Sequence, residues 1–180
     1  NNIFSTGTVT TSKQLSDAQL DNLFYLMYLL KQRGVYLYVD LLVSRKALSQ
    51  DGITDASDIK DGYKYHGLFD QTLIDLQKLY AQQLLTKVNP YTGVALKDDP
   101  AMVFVDMHNE NSIMYVPGGE ITYSAYITEL TANFSNWLKN KYGTTSALSS
   151  AWQSTGKTGL KSGESLELLN IDIIANGGTA

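Results

Sequence analysis

The residues best suited to chemistry stand together at the end of one run, Ala101-Met-Val-Phe-Val-Asp-Met-His-Asn-Glu-Asn-Ser112. Bulky apolar residues lead straight into a polar cluster, the pattern of a buried parallel strand that stops at a reaction site. In barrels of alternating strands and helices, working side chains sit where strands end and loops begin. Glu110 offers a carboxyl group, and Asn109 beside it offers an amide able to orient a sugar hydroxyl. Cleavage of a glycosidic bond needs one carboxylic acid to protonate the departing oxygen and a second carboxylate opposite it. The acid must keep its proton near neutral pH, which calls for partial burial or a negative neighbour. A strand end supplies the first, and Asp106, four residues earlier, the second. A Glu110 turned out to bulk water, or lying mid-helix, would count against the hydrolase reading as a whole. The plainer role for Glu110 is a carboxylate bonded to loop amides.

Other arrangements compete with this one. Asp106, His108 and Glu110 alternate, so on an extended strand they would share a face and could hold iron or zinc. The spacing is loose and no second histidine is close, so no metal and no cofactor is expected. His108 is then a wall of the pocket, able to donate to a hydroxyl or to Glu110, and Asn111 a further substrate contact. Arg45 could reach a pocket at the strand ends or pair with Asp40 at the surface. Ala151-Trp-Gln-Ser-Thr-Gly-Lys-Thr158 approaches a phosphate-binding loop, but it lacks the first glycine and follows a helix, so it reads as a chance match. Asn133-Phe-Ser135 fits a glycosylation acceptor but falls inside a helical pattern.

The elements that must position these residues are legible from their periodicity. Ser16 to Gln19 is a capping box with Leu15 and Leu20 as its staple. Leu20, Leu23, Phe24, Met27 and Leu30 then mark one buried stripe, and Gly34 stops the helix. Val35 to Leu42 reads as a strand. Residues 43 to 69 form a long loop. A second helix follows Asp70 as cap and ends near Lys87. The strand at 101 to 107 comes next, then a third helix over about 121–141 and a short fourth over 145–152. Beyond Trp152 only Leu166 to Ile174 looks structured. This alternation predicts an α/β domain with parallel strands. Two strands are too few for a parallel sheet, so either Asn2 to Thr10 and Leu166 to Ile174 add strands or the chain is part of something larger.

Bulk properties narrow the classes. The 180 residues suit one domain with a sizeable core; a complete eightfold barrel takes ~250 residues. A net charge of −4 recommends neither nucleic acid nor an anionic membrane as partner. The absence of cysteine excludes disulfides and thiolate metal sites. No apolar run approaches the ~18 residues of a membrane span. Asn1-Asn2-Ile3 is not a signal peptide, yet processing from a precursor leaves secretion open, and a secreted or cell-surface location is favoured over a cytoplasmic one. Twelve tyrosines lean toward carbohydrate contact and fit an ordinary core and surface equally well.

One ordered combination is more specific than any of these motifs. Leu76-Gln-Lys-Leu-Tyr-Ala-Gln-Gln-Leu-Leu85, Val88-Asn-Pro-Tyr-Thr-Gly93, Asp99-Pro-Ala101 and His108-Asn-Glu-Asn-Ser112 follow one another. Phe134-Ser-Asn-Trp-Leu138, Lys141-Tyr-Gly-Thr-Thr-Ser-Ala-Leu148 and Ala151-Trp152 come after. Over residues 20 to 152 this resembles bacterial retaining glycoside hydrolases of the (β/α)8-barrel superfamily, which carry an Asn-Glu pair at the fourth strand. The resemblance implies that 35–42 is the third strand and 101–107 the fourth. It implies that Glu110 is the acid/base and that Asn109 holds the sugar 2-hydroxyl. It also implies an oligosaccharide or polysaccharide as substrate. Such enzymes place a glutamate nucleophile at the seventh strand, and none of Glu120, Glu129, Glu164 or Glu167 closes a convincing strand. The expectation is therefore a partial barrel over 1–152, with 153–180 a tail or a continuation. The acid/base part would belong to a parent enzyme, inactive alone and partnered by the rest of the barrel. The alternative is a non-catalytic carbohydrate-binding or structural module that lacks the second carboxylate.

Overall fold

A computed structural model describes residues 11–42, 45–57, 59, 64–112, 121, 124–154 and 159–173. They run in the order α1 (Asp17–Gln32), β1 (Leu37–Asp40), α2 (Gln71–Thr86), β2 (Met102–Asp106), α3 (Ser124–Tyr142) and α4 (Thr145–Ser154). Two compact units result, one of residues 1–67 and 71–110, the other of residues 68–70 and 111–180.

In the first unit, Ser16 caps α1, its side chain accepting from the Gln19 N–H at 3.4 Å. The helix buries the stripe Leu20, Phe24 and Met27. It ends at Arg33, and Gly34 takes a left-handed φ of 70°, which a Cβ would oppose. The chain re-emerges as β1, which pairs in parallel with β2 in the register Tyr38↔Phe104, Val39↔Val105, Asp40↔Asp106. Parallel strands need a crossover, and α2 supplies it. Side chains alternate along the strands. Leu37, Val39 and Leu41 therefore meet Leu20, Phe24 and Met27 of α1 and Leu84 of α2 in one core, joined by Leu96 and Ala101. Tyr38, Asp40, Phe104 and Asp106 share the other face.

The connection from β1 to α2 is irregular but pinned. Asp51 is buried and accepts from the Ser12 N–H and hydroxyl and from the Thr11 hydroxyl. The Arg45 guanidinium donates to the Ser12 hydroxyl and carbonyl, at 2.8 Å each. Ser12 thus bridges a buried cation and a buried anion, and three separate segments are tied at one point.

In the second unit, Leu138 of α3 and Leu148 of α4 pack with Leu166 and Ile171, all four buried. Ser135, fully buried, donates to the Thr131 carbonyl and accepts from the Ile171 N–H at 2.9 Å. The Thr144 hydroxyl accepts from the Ala147 N–H and so caps α4.

The described sheet has two strands, so the chain is a mixed α/β fragment and no barrel is formed by the described residues. Residues 166–169 form a turn rather than a strand, with Leu169 at a left-handed φ of 52°, and 170–173 take no regular structure; residues 2–10 and 174 lie outside the described residues. A division into two units falls after Glu110, and Leu166 and Ile171 complete the α3–α4 core of the second.

Candidate active site

The polar cluster is built by the finish of β2. Its last residue, Asp106, uses both carboxylate oxygens. Oδ2 accepts from the Tyr38 hydroxyl across the strands at 3.0 Å, and Oδ1 accepts from the His108 N–H at 3.2 Å. The second bond ends the strand and turns the chain. Strand pairing nevertheless extends a little further, through the Leu41 N–H to the Asp106 carbonyl (2.8 Å) and the Asn109 N–H to the Leu42 carbonyl (3.1 Å). Asn109 is therefore held by backbone to the finish of β1, and Glu110 follows directly with a left-handed φ of 48°. A non-glycine residue in that region stores strain, and such residues cluster at working sites.

The expected single face of Asp106, His108 and Glu110 does not form, because the extended run stops at Asp106. No group of three metal-ligating side chains exists among the described residues. His108 is half-buried and turns toward α2, where it lines a cavity of about 230 Å³ with Leu41, Leu42, Arg45, Ile74, Tyr80 and Met107. Burial pushes its imidazole below the ordinary histidine range, against the opposing pull of Asp106. It is accordingly neutral at pH 7. Its Nδ1 and the Oδ1 of Asp40 are both buried without a hydrogen-bond partner. Orphaned polar atoms are rare in folded proteins and call for a reason. Here two of them flank the strand ends.

Arg45 lines this cavity and is at the same time a buried tether. It is 4% exposed, donates to the Leu76 carbonyl at 2.7 Å and to Ser12, and stacks over the Tyr80 ring. A guanidinium prefers such desolvated, multiply bonded positions. Asn111 is half-buried and belongs to the second unit. Glu110 is exposed, the outcome that counts against an acid role for it, since the partial burial expected of a proton donor is not present among the described residues. Val103, Phe104 and Val105 are exposed as well, and among the described residues β2 pairs with β1 alone.

Sequence reasoning missed two contributors. Asp40 stands opposite Asp106 rather than serving only as a surface partner for Arg45, and the register that pairs the two carboxylates is not a local property. Tyr38, a strand residue in the sequence pattern, bonds Asp106 only because the register brings it there. The glycosylation triplet ends in the buried Ser135, inside α3. The loop-like match at 151–158 begins in the last residues of α4, and 155–158 lie outside the described residues. No helix among the described residues is long and apolar enough to cross a membrane.

No protein-family model matches the chain. Over 61 residues it is 38% identical to a protein of Oryza sativa subsp. japonica named "Putative mannan endo-1,4-beta-mannosidase 5". The aligned stretch covers 34% of this chain and 12% of that protein's length. The similarity supports a relationship to glycoside hydrolases at the level of a broad family.

Proposed function

We propose that this chain is the acid/base-bearing part of a retaining glycoside hydrolase with a (β/α)8 barrel, acting on a polysaccharide such as mannan. The observation that carries the reading is the placement of Asn109-Glu110 just past the shared C-terminal edge of two parallel strands. Glu110 protonates the departing glycosidic oxygen and then, as its carboxylate, takes a proton from the attacking water. Asn109 orients the 2-hydroxyl. Asp106 is a positioning residue, since its two hydrogen bonds fix the turn that presents both. His108, in its neutral form, is a substrate contact at the rim of its cavity. Exposed Val103, Phe104 and Val105 argue that further strands cover β2, and that covering would bury Glu110 as an acid requires. The second carboxylate would come with those strands.

The test is Glu110→Gln in the full-length protein, assayed on aryl glycosides of graded leaving-group pKa. General acid catalysis contributes roughly 10²–10⁴-fold. The expected outcome is a loss of that order on poor leaving groups and a much smaller loss of kcat/KM on activated ones, which need no proton. Equal rates for variant and wild type on both would overturn the assignment.

A further inference from the structure

A second feature of the first unit is not used by this mechanism. Three tyrosines, Tyr25 and Tyr28 of α1 and Tyr91 of the turn before β2, form a cluster with ring centroids 5.1 to 6.3 Å apart. Tyr25 is 47% exposed and Tyr91 40%. The cluster is held rigidly. The Tyr91 hydroxyl donates to both oxygens of Asp21, at 2.9 and 3.1 Å. The turn is locked to α1 by Asn89, which is buried; its amide nitrogen donates to the Phe24 carbonyl, and its amide oxygen accepts from the Tyr91 N–H. Its backbone is closed by the Asn89 N–H to the Val94 carbonyl and by the Val88↔Ala95 bridge.

Rings left in water at this density cost solvation unless something covers them. The core-facing stripe of α1 is Leu20, Phe24 and Met27, so the tyrosines are not needed for packing the unit. The geometry points to a polysaccharide-binding surface, formed by Tyr25, Tyr28, Tyr91 and Asp21, that takes β-linked hexopyranose chains remote from Glu110. A pyranose presents a face of C–H bonds to an aromatic ring and a rim of hydroxyls to an acceptor. The tilted rings, at 29° and 58° to one another, make a curved shelf for the first. The Asp21 carboxylate, with acceptor sites beyond those used by Tyr91, meets the second. Tyrosines fixed in advance lose little freedom on binding. The site lies on elements that lead into the strand starts, whereas Glu110 follows a strand finish. The two sites therefore do not overlap, and weak binding here would raise the local concentration of polymer around the chain.

The choice of a β-linked chain rests on the hydrolase reading, so the test separates the two. The probe is soluble galactomannan in native affinity gels, with the chain carrying Glu110→Gln to prevent turnover. Retardation is expected, with an at least tenfold rise in apparent Kd for Tyr25→Ala/Tyr91→Ala and near-normal binding for Tyr25→Phe/Tyr91→Phe, which keeps the rings. Circular dichroism checks that the alanine pair is folded. Undiminished retardation of the folded alanine pair, or none for the starting chain, overturns the proposal. So does sedimentation showing that the alanine pair converts a dimer to a monomer, which would make the surface a contact between copies. Aryl-glycoside hydrolysis by the full-length protein is expected to be unchanged by the tyrosine changes. Its complete absence would defeat the hydrolase reading and leave the gel result to decide this one.

Discussion

At the scale of single residues, the clearest device is the chain of contacts Arg45, Ser12, Asp51. Burial alone would raise the Asp51 carboxyl, but the hydrogen bonds from Ser12 and Thr11 outweigh it and hold it below the ordinary range. A carboxyl lowered on folding stabilises the protein above its unfolded value, ~3.9. That stability is lost as pH falls through the lower folded value. Ser12→Ala removes the bridging hydroxyl and leaves two buried charged groups short of a partner, so a loss of about 1–3 kcal/mol is expected in urea unfolding. The slope of stability against pH below ~4 should also shrink. An unchanged midpoint would show that the bridge contributes nothing. Glu129 in the second unit behaves oppositely. Burial first, then the Asp70 carboxylate, raises it. Its contribution is therefore full below the ordinary glutamate value and lost as pH rises through the folded one. Glu129→Gln should remove that loss, read as a smaller decline in stability between pH 4 and 7.

At the scale of elements, the parallel pair depends on two helices packed against one face. Leu84 is 1% exposed in α2 and touches the same cluster as Phe24 and Leu37. Leu84→Ala should cost roughly 2–5 kcal/mol, by lost burial plus the cavity left behind. Because α2 is the crossover between the strands, the register Asp40↔Asp106 should loosen with it. Amide exchange would show this as faster exchange at Leu41 and Asn109, whose N–H groups close the strand ends. Exchange confined to α2 would mean that the strands hold their register without it.

At the scale of the whole molecule, the first unit carries an uncovered sheet. Tyr38 and Phe104, 6.1 Å apart, lie exposed on the same face as Asp40 and Asp106. An exposed apolar strand invites pairing with another chain. Phe104→Lys should raise the concentration at which the 180-residue chain remains monomeric by light scattering, with little change in unfolding midpoint. A covered β2 in a longer chain would instead make the same change destabilising, since a charge would be buried. Comparing the two backgrounds tests directly whether further strands lie over this face.

Much of this was written locally. Ser16 and Gly34 carry the boundaries of α1, and the stripe Leu20, Phe24 and Met27 carries its buried face, because caps and periodicity act over a few residues. The parallel strands at 37–40 and 102–106 followed from apolar runs separated by a helix. The placement of Asn109 and Glu110 past a strand finish was legible for the same reason. What the sequence could not settle is how far each side chain lies from residues distant along the chain. Burial of Arg45, the turn of His108 toward α2, the Asp40–Asp106 pairing and the tyrosine shelf all join segments some 30 to 70 positions apart. Short-range rules set which backbone each segment adopts. Only packing decides which side chains meet, because that choice is made by excluding water over a surface no single segment owns.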